Sequence, residues 1–287
     1  MPRVCVYTVL IGGYERLNEQ PMAEASAIDF LCFTDDPGLT SATWQIRNVR
    51  PLFADDPTRS ARALKIRAHS VVPDYDVSLY IDNSVVLLRP PEEVVANLLP
   101  DEELVAMVAH GFRDSVRDEF AAVAEARFDA PSRLEEQLAH YESSDHESLD
   151  LRPLKGILVL RRHNEPAVVS AMETWYSHVL RYSRCDQLSL WVALRRATLE
   201  PLVHVLDNFE SPYHRWPVAI DRDRRRGGVP WTLPEERPEA LEAALAERVN
   251  EVANLQMHVS RLQSTRSWRW TAIAPRVRGR MLAFQNL

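Results

Sequence analysis

The stretch Ser78-Leu79-Tyr80-Ile81-Asp82-Asn83-Ser84-Val85-Val86-Leu87-Leu88 sets apolar residues on both sides of a single carboxylate. Such a run predicts a buried strand that ends by presenting Asp82 at the sheet edge. Ligands of an open α/β sheet lie outside the carboxyl ends of its strands, so an acid at that point faces a crevice. With polar neighbours it can hold a hard divalent cation against phosphate oxygens. The plainer alternative is an acidic turn residue closing a core strand.

The segments around it fit an α/β chain. Arg3 to Ile11 alternates and is rich in Val, Tyr and Thr, which predicts a first strand. It breaks at Gly12-Gly13-Tyr14, where a glycine pair suits a phosphate or any tight turn. No third glycine follows at the dinucleotide-fingerprint spacing. Asp29–Thr34 and Trp44–Val49 predict two more strands, spaced too closely for a regular βαβ series. Pro57, with acids just before it, opens a helix that runs to about His69. On it Arg59, Arg62 and Lys65 recur every three residues and share a surface, either a solvated basic face or a cationic wall for a diphosphate.

Further along, Leu104–Ala109 is a strand ending in His110-Gly111-Phe112-Arg113, whose polar residues are either structural or turned to the same crevice. Two helices broken near Pro131 account for Ser115 to Ser144. Leu154 to Arg162 is a strand with Gly156 at its mouth, and Pro166 to Tyr182 an amphipathic helix with an aromatic stripe for the core. Asp186 fits an N-cap of a helix reaching Ala197, whereas Gln187 beside it is less easily explained by capping. Val203–Leu206 is a short strand, and Asn208 to Trp216 a polar and aromatic loop.

Composition changes near Asp221. The expected organisation is a domain over 1–220, a charged linker over 221–237 and a C-terminal helix and tail over 238–287. In the last part, Leu241, Leu245, Val252, Leu255, Val259 and Leu262 form a short heptad seam interrupted by Arg248. A basic-aromatic tail follows from Ser267. These predict homo-oligomer contact through the helix or peripheral contact with an anionic membrane surface. Three cysteines without metal-site spacing predict free thiols in a reducing compartment. No signal or spanning segment is visible, which points to the cytoplasm or the inner face of its membrane. With 41 acidic against 34 basic side chains, the charge balance argues against a nucleic-acid binder. Lysine occurs only at 65 and 155, which reads as coding bias rather than function.

Several of these motifs stand together in one order: Val6-Tyr7-Thr8 with Gly12-Gly13-Tyr14, Asp29-Phe30 with Cys32-Phe33-Thr34-Asp35, Asp56-Pro57 with Arg59, Arg62, Lys65-Ile66 and His69, Tyr80-Ile81-Asp82-Asn83, and Asp186-Gln187-Leu188-Ser189. Over about Val4 to Pro217 the chain resembles the glycosyltransferase-like family that includes plant mucilage-related and ceramidase-like proteins and bacterial surface-polysaccharide proteins. The resemblance implies a GT-A-like, Rossmann-type mixed sheet in an α/β fold, here with a coiled-coil-like helical extension. It implies a nucleotide-sugar donor and a glycan or lipid-linked acceptor in surface-polysaccharide assembly. It also implies Mn2+ or Mg2+ on an Asp-x-Asp-type motif, whose places Asp82 and Ser84 occupy, with His214 as a late ligand. Ser84 leaves that motif one carboxylate short. Donor contacts are expected from Thr8, Gly12, Gly13, Tyr14, Asp35, Arg62, Lys65, Asp82, Asn83, Ser84, His110 and Gly156, and catalysis from Asp186 and Gln187. Glycosyl transfer needs a stabilised leaving diphosphate and an oriented acceptor hydroxyl, with Asp186 as the base or a contact to the donor sugar. The alternatives are a non-catalytic nucleotide- or glycan-binding relative, and a hydrolase using Asp82 and Asp186 as a carboxylate pair.

Overall fold

The computed structural model describes residues 2–218 and, beyond them, Val249, Val252, Ala253, Leu255, Gln256, Met257 and Val259, each helical and exposed. The chain divides into two compact units, Met1–Trp231 and Thr232–Leu287. The expected linker, the basic-aromatic tail and most of the heptad seam fall outside the described residues. Of the seam, Val252, Leu255 and Val259 are helical and exposed.

The first unit is built on a seven-stranded sheet. Its strands are β1 (Val4–Leu10), β2 (Asp29–Thr34), β3 (Gln45–Asn48), β4 (Val77–Ile81), β6 (Val105–Ala109), β7 (Leu154–Arg161) and β8 (Leu202–His204). They lie in the order β3-β2-β1-β4-β7-β6-β8. All run parallel except β7, which is antiparallel to both β4 and β6. This is the expected mixed α/β sheet. Strand β4 ends just before Asp82, as expected, and the second half of the run supplies β5 (Val86–Leu87), which pairs with β9 (His214–Arg215) in a separate antiparallel ribbon. The reversed β7 brings its N-terminal end, not its C-terminal end, to the edge where β1, β4 and β6 finish. Opposite β6 its register slips, so that Met107 faces Val159 and Val108 faces Lys155. Bulges of this kind re-aim side chains beside functional sites.

Side-chain alternation divides the core into two layers. Tyr7 and Val9 of β1 pack with Ile66 of α1 (Pro57–Ile66), Trp175 of α7 (Pro166–Arg181) and Leu190 of α8 (Leu190–Arg196). Val6 and Leu10 pack on the opposite face with Val94 and Leu98 of α3 (Pro91–Leu98). The short α2 (Ala68–Val71) follows α1. A smaller cluster joins α4 (Val116–Glu125), α5 (Pro131–Ser144) and α6 (His146–Asp150) to Leu188 and Val192. The break between α4 and α5 is the one expected near Pro131, while α6 was not foreseen.

Helix α1 is fixed at both ends. Asp56 caps its N-terminus by accepting from the Arg59 N–H at 2.9 Å. The Arg59 guanidinium, expected on the cationic wall, turns instead to α7, donating to the Val179 and Tyr182 carbonyls at 2.9 and 2.8 Å. At the other end the buried Arg161 donates to the Ile66 carbonyl at 2.9 Å and also to the Lys65 carbonyl and the Tyr7 hydroxyl. Tyr7 donates in turn to the Lys65 carbonyl at 2.6 Å. A cation at the carbonyl end of a helix also meets the favourable end of its dipole.

Four buried histidines make the fold acid-sensitive. Burial pushes the pKa of His110, His163 and His178 down to about 4, helped by a neighbouring cation at each, and lowers that of His214. The unfolded chain takes up protons near pH 6.5 that the folded chain refuses, so stability is full above about 6.5 and declines as pH falls toward 4. Urea midpoints are expected to drop between pH 7 and 5, before the carboxylates titrate. A flat profile down to pH 5 would contradict it.

Candidate functional site

The crevice lies where β1, β4 and β6 end and β7 begins. After β1, Gly12 and Gly13 take φ of +86° and +57°, a region costly for other residues. A Cβ on Gly12 would come within 2.8 Å of the Pro57 Cβ, so the loop packs directly on the first turn of α1. Both carboxylate oxygens of Asp35, at the end of β2, accept the Gly12 N–H at 3.0 and 3.2 Å. Asp35 therefore pins the loop. Gly13 has open space around it.

Asp82 follows β4, its N–H donating to the Ile157 carbonyl at 2.9 Å. Burial and then Asp82 itself raise the Tyr80 pKa, so Tyr80 stays protonated and donates to the Asp82 carboxylate at 2.7 Å. The Asp82 side chain remains 31% exposed and sits 3.8 Å from the Lys65 ammonium. Lys65 is buried and lies 2.7 Å from Asp186 Oδ2, with Arg62 Nε at 3.4 Å from the same oxygen. Lys65 thus holds Oδ2 at charge-assisted hydrogen-bonding distance, while the Arg62 contact is longer and without hydrogen-bond geometry. Burial alone would raise the Asp186 pKa, but Arg62 and then Lys65 outweigh it and hold the carboxyl below its usual range. Burial likewise opposes the Arg62 charge, which Asp186 and Asp82 more than restore. Gly156 makes room for this group: a Cβ there would lie 2.8 Å from the Lys65 ammonium and 3.7 Å from Asp186 Oδ2. Tyr14 lies within electrostatic reach of Arg62 and Tyr80.

Asp186 is not an N-cap. It opens a 3-10 turn, Asp186–Leu188, and caps nothing with its side chain, while α8 begins at Leu190 after Ser189. Trp175 fixes its backbone by donating to the Asp186 carbonyl at 2.7 Å. Gln187 donates to the Leu154 carbonyl at 3.3 Å, tying the turn to β7.

Other expected donor residues sit outside this cluster. Thr8 is wholly buried within β1, its hydroxyl without a partner. Asn83 accepts from the Asn18 N–H at 2.8 Å and donates to the Arg16 carbonyl at 2.9 Å, strapping the Glu15–Gln20 loop over the turn. His110 is buried beside Lys155, its Nε2 3.4 Å from the ammonium.

The residues expected to hold a divalent ion do not fit one. The buried His214 gives one ring nitrogen to the Ser211 hydroxyl at 2.8 Å and the other to the Asn208 carbonyl at 3.2 Å. The Ser84 hydroxyl accepts from Trp216 at 3.1 Å. Asp82 is left without a second anionic ligand, and no group of three His, Cys, Asp or Glu side chains is placed to hold a metal among the described residues.

Lys155 is the residue that sequence reasoning passed over. The signal was present: in a chain that otherwise uses arginine, both lysines are buried at this one edge of the sheet.

No curated protein matches the chain. Solved structures with a similar course include mouse xyloside xylosyltransferase 1 in its apo form, at 10% identity and a TM-score of 0.42, covering 71% of this chain and 85% of that one. Another is the apo WbbM bifunctional glycosyltransferase, at 13% identity and a TM-score of 0.39, covering 71% of this chain and 39% of that one. Among the described residues no helix is long and apolar enough to cross a membrane. The profile of the TOD1/MUCI70 glycosyltransferase-like domain matches residues 31–211, from β2 through the Asp82 turn and the Asp186 turn to the loop before β9, and the chain belongs to that family.

Proposed function

We propose that this chain transfers a sugar from a nucleoside-diphosphate donor to a hydroxyl of a glycan or lipid-linked acceptor in the assembly of a surface polysaccharide. The observation that carries the reading is the convergence of Arg62, Lys65, Asp82 and Asp186 at one strand edge, beside a glycine loop with open space at Gly13. In the reaction the bond from sugar C1 to the diphosphate oxygen breaks and a bond from C1 to the acceptor oxygen forms. The diphosphate leaves with the electron pair, and the acceptor hydroxyl loses its proton.

Arg62 and Lys65 meet the charge that develops on the leaving diphosphate, the kind of preorganised stabilisation that contributes most in a water-poor site. Asp186 is the base for that proton, reached once the diphosphate has drawn Lys65 and Arg62 off Oδ2, which they cover in the free chain. While both cations face it, Asp186 is a weak base. A diphosphate that draws them away raises its basicity at the moment the donor is in place. The basic and aromatic residues after Ser267 suit an anionic membrane surface carrying a lipid-linked acceptor.

Calorimetry with UDP, GDP, CDP and dTDP tests the reading. At least one is expected to bind in the presence of a chelator, with affinity changed less than about threefold by added Mn2+, since charge-assisted contacts to Arg and Lys suffice. Binding that requires Mn2+ would return the ion to Asp82. Failure of all four under both conditions would remove the transferase assignment.

A further inference from the structure

On the other side of β7 lies a second constellation that the chemistry above does not use. Successive strand side chains point to opposite faces. With Gly156 turned to Lys65 and Asp186, and Ile157 packed in the opposite core layer, Lys155 projects away from the Asp186 side. The residue is only 8% exposed. Its ammonium lies 4.7 Å from the centre of the Trp216 ring and 5.1 Å from that of Phe112. His110 Nε2, at 3.4 Å, is its one hydrogen-bonding neighbour, and no carboxylate stands within ion-pair distance among the described residues. Glu119, the strongest opposing charge, acts on it from beyond ion-pair distance and also faces Arg113 at 3.4 Å. Burial lowers the Lys155 pKa, and Glu119 and Asp82 only partly offset this.

Three rings form a wall beside that ammonium. Phe112 and Phe209 stack with centroids 6.0 Å apart at 14°, and Phe209 and Trp216 at 5.7 Å and 28°. Phe112 and Phe209 are 47% and 53% exposed, well above the usual for large aromatic side chains. Asn208 locks the two loops that carry them, accepting from the Gly111 N–H at 2.6 Å and donating to the Ala109 carbonyl at 2.9 Å.

A buried ammonium with no carboxylate in contact favours an incoming anion, and exposed aromatic rings favour an apolar surface. A free anion would leave the rings in water, and a neutral sugar would leave Lys155 unpaired. A pyranose presents a C–H face to the rings while its acidic substituent reaches the ammonium. We propose that Lys155 and the Phe112–Phe209–Trp216 wall form the subsite for an acidic sugar, carrying a carboxylate or a phosphate, as the acceptor. Its role as acceptor rests on the transferase reading. The rarity of lysine agrees: the only two stand on either side of the β7 mouth, one for each substrate.

The test is titration of the full chain with methyl β-D-glucuronide, glucose 6-phosphate and methyl β-D-glucoside, followed by NMR. At least one acidic probe is expected to bind about tenfold or more tightly than the glucoside, and the tighter of the two identifies carboxylate or phosphate. Lys155→Met should bring that probe to the level of the glucoside, and Phe209→Ala, at an exposed ring, should weaken all three. Equal binding of acidic and neutral probes, or acidic binding unchanged by Lys155→Met, would overturn the subsite. Should Lys155→Met not fold, acidic binding unchanged by Phe209→Ala overturns it instead. Displacement of the acidic probe by UDP would assign Lys155 to the donor and end the acceptor proposal. Retained acidic binding in a protein that binds no nucleotide would instead sink the transferase reading and leave the sugar site standing.

Discussion

An Asp186→Asn protein is expected to bind nucleoside diphosphate at least as tightly as the parent while transferring sugar about 10²–10⁴-fold more slowly, the usual loss when a positioned base is removed. The two effects oppose each other for one reason. The carboxylate competes with the diphosphate for Lys65 and Arg62, so its removal releases both cations to the donor while leaving no acceptor for the proton. Isothermal calorimetry against single-turnover transfer separates them. Were Asp186 only a support that aims the cations, affinity and rate would fall together, and that result would reject it as the base. The acid limb gives a second reading. Because the folded pKa of Asp186 is depressed below its ordinary 3.8, its contribution to stability is present above that value and lost as pH falls through the folded pKa. The variant should lose that dependence below about pH 4 and keep the histidine-driven decline above it.

Lys65→Met is expected to cost the fold about 3–5 kcal/mol, because it strands a buried carboxylate beside a single, more distant arginine. On the sequence alone, a change at a helix-surface lysine would be expected to touch donor binding and spare stability. Burial reverses that expectation. Pairing it with Asp186→Asn should recover much of the loss, since the double variant removes the charge left unpaired. Urea unfolding of the two singles and the double gives the coupling. Additive losses would mean that the 2.7 Å contact carries no interaction of its own.

How far the sequence could be read depends on which neighbour each fact involves. Asp82 ending a strand, the glycine pair after β1 and the shared face of Arg62 and Lys65 are local matters of period and turn chemistry, and they were legible. Helical spacing placed Arg59 with those two, but it says nothing about what a face meets, and Arg59 meets the end of α7. Asp186 followed by an apolar helix reads as a cap because the competing partners lie more than a hundred residues earlier in the chain. The apolar run from Val85 to Leu88 carries no sign that Val86 and Leu87 belong to a different sheet. His214 reads as a free imidazole until Ser211 and Asn208 fold back onto it. Lys155 was hidden for a further reason: the antiparallel entry of β7 and its slipped register, which bring it to the crevice, are properties of strand packing and leave no periodic trace.

The double anchoring of α1 has a consequence for what donor binding costs. Long cationic side chains ordinarily lose rotamer freedom when they close on an anion, at about 0.5–1.5 kcal/mol each. Here Tyr7 and Arg161 grip the Lys65 carbonyl, Arg59 ties the first turn to α7, and Asp186 Oδ2 holds both cations, 2.7 and 3.4 Å away, before any ligand arrives. Their freedom is already lost in the folded chain. An incoming diphosphate then exchanges one anion for another on a helix that stays in place, and part of the ordering cost of donor binding is met when the helix docks rather than when the donor arrives.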